Sequence, residues 1–101
     1  MFLRFSRYRF TEKNEAEGLE ILRRQAASMR SAEGCEDVWL AQGQHPATEF
    51  IVVGRFRDEA SLRRYEGLLR SDPGKGSDFL SLLRLTTQPP ELTQYEMRET
   101  M

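Results

Sequence analysis

Six side chains in this 101-residue sequence carry a charge, a titratable group or an aromatic ring that a binding or catalytic site could use. They are Arg7, Trp39, His45, Phe56, Tyr65 and Asp78. Arg7 follows Leu3 and Phe5 at alternate positions of a predicted strand. An arginine at such a strand end can hold a carboxylate or a phenolate. The alternative is a rim arginine that pairs with a carboxylate on a helix.

The aromatic candidates suit a flat ligand. Trp39 could stack on an aromatic ring. Phe56 and Tyr65 could line the same cavity, with the Tyr65 hydroxyl offered to a substrate oxygen. Each residue also has a structural alternative: Trp39 in the core or at a dimer interface, and the other two packing a helix on the sheet.

Two titratable side chains are candidate bases. His45, the only histidine, lies in a predicted loop with Gly43 and Pro46, and an accessible histidine titrates near neutral pH. The sequence has no second histidine and no cysteine at ligand spacing, so no metal site is expected. Asp78 would be a base if it faced the cavity, and otherwise the N-cap of a short helix.

Composition argues against several classes of partner. The net charge is −1, so no overall electrostatic attraction favours nucleic acid or an anionic membrane. No apolar run approaches the ~20 residues that a membrane span needs. The stretch from Gly74 to Ser77 departs from the phosphate-binding loop, because Gly76 separates Lys75 from the serine. The single cysteine, Cys35, excludes an intrachain disulfide and fits a reducing cytoplasm.

Hydrophobic patterns and capping residues predict seven elements. They are a strand over 1–10, a helix from the N-cap Asn14 to about 31, strands over 36–42 and 48–57, a helix over 59–70 with Asp58 as its cap, a short helix over 78–85 and a strand over 91–99.

This order predicts one α+β domain over residues 1–101, with the ferredoxin-like β-α-β-β-α-β arrangement. Two helices would cover one face of a four-stranded antiparallel sheet, with Leu3 and Phe5 beneath them. Apolar residues of opposite phase would lie on the other face, namely Phe2, Tyr8, Ile51 and Val53. An apolar face of that kind predicts a homodimer packed sheet against sheet.

The sequence resembles the antibiotic biosynthesis monooxygenase family of the dimeric α/β-barrel superfamily. The resemblance spans Met1 to Arg98. It rests on Glu33-Gly34-Cys35 before the second strand, on an aromatic residue and Asp58-Glu59-Ala60 after the third, and on Tyr65. It implies a dimeric barrel and a family that includes cofactor-free oxygenases of polycyclic phenols, heme-degrading relatives and members without a known activity.

Two branches of that family have characteristic active residues, and this chain differs from both sets. Heme-degrading relatives use an asparagine, a tryptophan and a histidine where this sequence has Arg7, Phe56 and Asp78, which argues against heme degradation. Quinol-oxidising relatives use tryptophan, asparagine and tyrosine. Trp39 and Tyr65 are present here, but the only asparagine is Asn14.

The resemblance implies a cofactor-independent monooxygenase acting on a small quinol or phenol. The single cysteine and the apolar sheet face add the expectation of a cytoplasmic homodimer. Arg7, Tyr65 and Asp78 would be catalytic, and Trp39, Phe56 and His45 would bind the substrate. The alternative is a non-enzymatic dimer of the same fold that binds a small ligand or serves in a stress response.

Overall fold

Seven elements follow one another in a computed structural model that describes all 101 residues. They are β1 (Phe2–Arg9), α1 (Glu15–Arg30), β2 (Cys35–Gln42), β3 (Glu49–Phe56), α2 (Glu59–Ser71), α3 (Pro73–Leu85) and β4 (Glu91–Glu96). The strands form one antiparallel sheet in the order β2-β3-β1-β4. The predicted ferredoxin-like α+β fold is confirmed, with α3 added between α2 and β4.

The ends of α1 differ in part from the expectation. Asn14 occupies the N-cap position, but its side chain makes no capping hydrogen bond. Its amide Nδ2 instead donates to the Leu85 carbonyl oxygen at 3.3 Å, which ties the start of α1 to the end of α3. After α1, Gly34 has a φ of 83°, a backbone conformation that favours glycine. This explains the glycine before β2.

A single residue, Asp72, joins α2 to α3. It is the C-cap of the first helix and the N-cap of the second. Its Oδ1 accepts hydrogen bonds from the backbone N–H groups of Gly74, at 2.9 Å, and Lys75, at 3.2 Å. Pro73 takes the first helical position, where its missing N–H costs nothing. The third helix therefore begins at Pro73, and Asp78 lies within it rather than capping it.

The core lies between the helices and one face of the sheet. Its buried apolar residues are Tyr8, Phe10, Ile21, Leu22, Met29, Cys35, Phe50, Val52, Phe56, Leu62, Tyr65 and Leu82. Apolar residues at three- and four-residue spacing on α1 and α2 contribute to it, whereas Leu68 of α2 is 43% exposed. None of the three helices combines the length and the apolar character needed to cross a membrane.

The facing of β1 is the reverse of that predicted. The register pairs Phe5 with Val53 and Tyr8 with Phe50, and paired residues share a face. Tyr8 is buried beneath the helices. Leu3, Phe5 and Arg7 therefore lie on the face without helices, called here the open face. The prediction was wrong because both phases of β1 carry apolar side chains, and a shift of one residue exchanges the faces.

For β3 the predicted facing is confirmed. Phe50, Val52 and Phe56 are buried under the helices, so Ile51 and Val53 lie on the open face. The inward phase of β1 continues to Phe10, which packs against Phe50 with ring centres 6.0 Å apart. The opposite phase would have placed two arginines, Arg7 and Arg9, against the helices, whereas the observed phase places one, Arg4.

Candidate functional site

A polar cluster lies where the core meets β1. The inward positions of this strand hold Arg4, Ser6 and Tyr8, which are 3%, 0% and 1% exposed. The neighbouring strand β3 places Phe50 and Val52 on the same face. Burial of three polar side chains needs compensating hydrogen bonds. A side chain whose hydrogen bonds are all made within the chain serves the fold, whereas one that lacks a partner is available to a ligand.

Tyr8 and Ser6 are satisfied within the chain. The Tyr8 hydroxyl donates to Gln25 Oε1 on α1 at 3.1 Å, and the Ser6 hydroxyl donates to the Val52 carbonyl oxygen at 3.4 Å. Burial raises the pKa of Tyr8 above its usual value, so this hydroxyl remains protonated at neutral pH. The pair Tyr8 and Gln25 fastens α1 to the sheet.

Tyr65 of α2 differs from Tyr8 in one respect. Its side chain is equally buried, but its hydroxyl has no hydrogen-bond partner. Its ring packs against Phe56 with centres 5.7 Å apart. Burial raises the pKa of Tyr65 to about 12, although the nearby charge of Arg4 opposes that shift. At neutral pH the hydroxyl is an uncharged hydrogen-bond donor and is not a base.

Arg4 is a buried cation with few partners. Its Nε lies 3.4 Å from Glu66 Oε2 on α2. The same carboxylate oxygen accepts a bond from Gln94 Nε2 of β4 at 2.6 Å. Arg4 Nη1 is buried and unpartnered. The guanidinium lies 5.7 Å from the centre of the Tyr65 ring, within range of a cation–π contact.

A cavity of about 490 Å³ lies between the three helices and is called here the interhelical pocket. Its lining residues come from all three helices: Arg24, Gln25, Ser28, Tyr65, Leu69, Asp72, Gly74, Lys75, Ser77 and Asp78. Its charged groups are paired: Arg24 with Asp78 at 3.0 Å and Lys75 with Asp72 at 3.9 Å. The volume is within the range of small-molecule sites.

Two of the six residues selected from the sequence line this pocket, Tyr65 and Asp78. Phe56 is fully buried and packs against the Tyr65 ring, but does not line the pocket. The Asp78 carboxylate bridges α3 to Arg24 of α1. The structure therefore brings one candidate base and one candidate hydroxyl donor to the same cavity.

The other three lie elsewhere. Arg7 lies on the open face, where it pairs with Glu91 at 3.2 Å, not near the cavity as its predicted facing implied. Trp39 is 48% exposed on that same face, with the Arg55 guanidinium 5.9 Å from its ring. His45 is exposed in the loop between β2 and β3. None of the three lines the interhelical pocket.

Sequence reasoning missed Arg4 and Gln25. Gln25 had a detectable signal, since it stands between Leu22 and Met29 at three- and four-residue spacing, within the apolar stripe of α1. A polar residue at a core position of a helix marks either a structural hydrogen bond or a site. Arg4 had no equivalent signal, because its facing depended on the register of β1.

Comparison with known proteins gives one family match. The sequence pattern of the antibiotic biosynthesis monooxygenase family matches residues 1–71, which extend from β1 to the end of α2. None of the curated protein sequences matches the chain.

Solved structures share the fold over almost the whole chain. A Deinococcus radiodurans protein, assigned provisionally as an antibiotic biosynthesis monooxygenase, has a TM-score of 0.85 and 17% identity, covering 100% of this chain and 96% of its own. Rv0793 from Mycobacterium tuberculosis has a TM-score of 0.83 and 16% identity, covering 98% of this chain and 96% of its own. A mutant of SnoaB, a cofactor-independent oxygenase from Streptomyces nogalater, has a TM-score of 0.80 and 19% identity, covering 99% of this chain and 95% of its own. At these identities the likeness concerns the fold.

Proposed function

Because the chain belongs to the antibiotic biosynthesis monooxygenase family, we propose that it is a cofactor-independent monooxygenase that oxidises a small phenol or quinol in the interhelical pocket. The observation that carries the proposal is the Tyr65 hydroxyl, which is buried, uncharged and unpartnered in a residue that lines the pocket. The description of SnoaB as a cofactor-independent oxygenase supports the same reaction class.

Such a reaction needs the substrate to supply the electrons. One atom of O₂ is inserted into the substrate and the other leaves as water, so the four electrons that reduce O₂ come from the oxidised ring. A phenolate gives up electrons more readily than a phenol. The Tyr65 hydroxyl would donate a hydrogen bond to the anionic oxygen, and the charge of Arg4 behind the ring would favour that anion.

The substrate proton needs an acceptor, and we assign Asp78 to that role. The pocket has two carboxylates, Asp72 and Asp78. Asp72 is occupied as the cap of α3. Asp78 makes one ion pair, with Arg24, whose side chain is 60% exposed and free to move aside. A carboxylate held in this way can accept a proton from a bound phenol.

We further propose that the protein acts as a cytoplasmic homodimer formed through the open face. Apolar side chains lie along that face: Leu3, Phe5, Trp39, Ile51, Val53 and Tyr95. Two ion pairs form within the chain on this face, Arg7 with Glu91 and Arg55 with Asp37. Because these four charges are paired, they do not oppose contact with a second copy. The free and buried Cys35 suits a reducing compartment.

Oxygen uptake tests the activity. Purified protein would be incubated with a panel of naphthols, anthrones and naphthohydroquinones, and the rate above that without protein would be measured with an oxygen electrode. The proposal predicts uptake with at least one substrate and one ¹⁸O atom from ¹⁸O₂ in its product. Tyr65→Phe should reduce the rate about a hundredfold, as expected for loss of one positioned donor. No uptake with any member of the panel, or an unchanged rate in Tyr65→Phe, would reject it.

A ligand-binding dimer without catalysis is the second candidate. The observation that favours it is the complete pairing of charged side chains at the pocket, which leaves no free base in the absence of substrate. In that case the same phenols would raise the melting temperature without consuming oxygen.

A further inference from the structure

A second, smaller cavity lies between α2, α3 and the β1–β4 edge of the sheet, and is called here the edge pocket. Its volume is about 230 Å³, and its lining residues are Arg4, Glu66, Leu69, Arg70, Phe79 and Leu92. We propose that the edge pocket binds the carboxylate of a small apolar acid, with Arg4 as the residue that recognises it.

The first argument is the state of the Arg4 guanidinium. Its side chain is 4% exposed, yet the only carboxylate near it is Glu66, which approaches Nε alone. Nη1 is buried and unpartnered. An unpaired N–H on a buried cation is costly. A carboxylate bound in the edge pocket would supply the missing acceptor in the planar geometry that arginine favours.

The second argument is charge. Two arginines, Arg4 and Arg70, and one glutamate line the edge pocket. Arg70 forms no ion pair within the chain, and Glu66 shares Oε2 between Arg4 and Gln94. The lining therefore carries one unbalanced positive charge, which a monocarboxylate would neutralise.

The third argument concerns the rest of the ligand. Leu69, Phe79 and Leu92 are the remaining lining residues, and Leu92 is 50% exposed. An inorganic anion would leave these side chains in contact with water, whereas an apolar ligand body would cover them. The cavity is smaller than the ~300–1,000 Å³ typical of drug-sized sites, so we infer a ligand the size of one aromatic ring.

This site is separate from the interhelical pocket. Leu69 is the only residue common to both linings, while Arg4 lines the edge pocket alone and Tyr65 lines the interhelical pocket alone. Binding of an acid at Arg4 needs no oxygen chemistry, so the inference does not depend on the proposed function.

Titration with a charged and a neutral probe of the same shape tests the proposal. Benzoate and benzamide would each be titrated into the protein by isothermal calorimetry at neutral pH. We expect benzoate to bind at least about tenfold more tightly than benzamide, which corresponds to one charge-assisted hydrogen bond. Sulfate at equal concentration should compete only weakly. Equal affinity for the two probes, no binding of benzoate at millimolar concentration, or full competition by sulfate would each overturn the proposal.

Two variants and one control locate the site. Arg4→Gln should weaken benzoate binding about tenfold or more. Glu66→Gln removes the carboxylate that competes for Arg4 and should strengthen it. Arg63→Gln is the matched control, because Arg63 also pairs with a glutamate of α2 but at the exposed surface, and its affinity should equal that of the parent. If Arg4→Gln does not fold, unchanged or weaker binding in Glu66→Gln overturns the assignment.

Discussion

The guanidinium carbon of Arg4 lies 5.7 Å from the centre of the Tyr65 ring, in the interior between sheet and helices. Each side chain has a buried polar atom without a partner, Nη1 in one and the hydroxyl in the other. Stability alone favours satisfied or apolar side chains at such positions. Both ligand-site proposals rest on this pair.

The two buried tyrosines should respond differently to loss of the hydroxyl. Tyr8→Phe leaves Gln25 Oε1 without its donor and should lower the free energy of unfolding by about 1 kcal/mol. Tyr65→Phe removes a hydroxyl that has no partner and should leave that free energy unchanged or slightly higher. Urea unfolding followed by circular dichroism measures both. An equal loss in the two variants would mean that the Tyr65 hydroxyl is bonded within the fold.

Tyr65 should also make the protein less stable in alkali. Its pKa is raised by burial from 10 to about 12, so between these values the unfolded chain loses a proton that the native state keeps. The contribution of Tyr65 to the free energy of unfolding is fully present below pH 10. Above pH 10 the free energy of unfolding should fall by about 1.4 kcal/mol per pH unit. Urea midpoints measured from pH 8 to 11 test this.

The matched variant for the alkaline test is Tyr65→Phe, whose decline should be shallower than that of the parent. Some slope should remain, since burial raises the pKa of Tyr8 in the same direction. Identical slopes in parent and variant would show that Tyr65 is not the titrating group.

Two helical glycines should give opposite results when replaced by alanine. A Cβ at Gly18 would overlap the buried ring of Phe10, so Gly18→Ala should cost about 1–3 kcal/mol of stability. A Cβ at Gly67 of α2 would meet nothing within 4 Å, and Gly67→Ala should add about 0.5–1 kcal/mol through better helix propensity. Thermal unfolding of the pair checks both. Destabilisation by Gly67→Ala would contradict the open surroundings of that residue.

The homodimer prediction has a direct test in the open face. Sedimentation should give twice the chain mass of 11.8 kDa for the parent and the single-chain mass for Val53→Asp, because a charge at the middle of an apolar interface is costly. Leu80→Asp is the control. Leu80 is 59% exposed on α3, away from this face, and its variant should remain dimeric. A monomeric parent at micromolar concentration would reject the interface.

Elements with strong local signals were predictable from sequence. Asp58 caps α2 through Ser61 at 2.8 Å, as its position indicated. The alternation of β3 identified both of its faces. The short helix was predicted from residue 78, five residues after its observed start at Pro73. Proline ends a preceding helix but also suits the first turn of a new one. The local pattern was compatible with both roles.

The site was less predictable because it depends on tertiary register. Arg4 and Arg7 lie three residues apart on β1, and neither composition nor spacing shows which one faces the helices. The pairing of Phe5 with Val53 decides it, and that pairing joins residues distant in the chain. Arg7 was therefore selected where Arg4 occupies the interior.

The alternation of β1 constrains how this chain can diverge. In this strand of eight residues, every second side chain packs into the interior and the others lie on the open face, so one short segment contributes to two surfaces. A substitution can change either surface alone, but inserting or deleting one residue would exchange the two faces for the rest of the strand and disrupt both surfaces at once. Length variation among natural relatives should consequently be tolerated in the loops around residues 43–48 and 86–90 and purged from this strand.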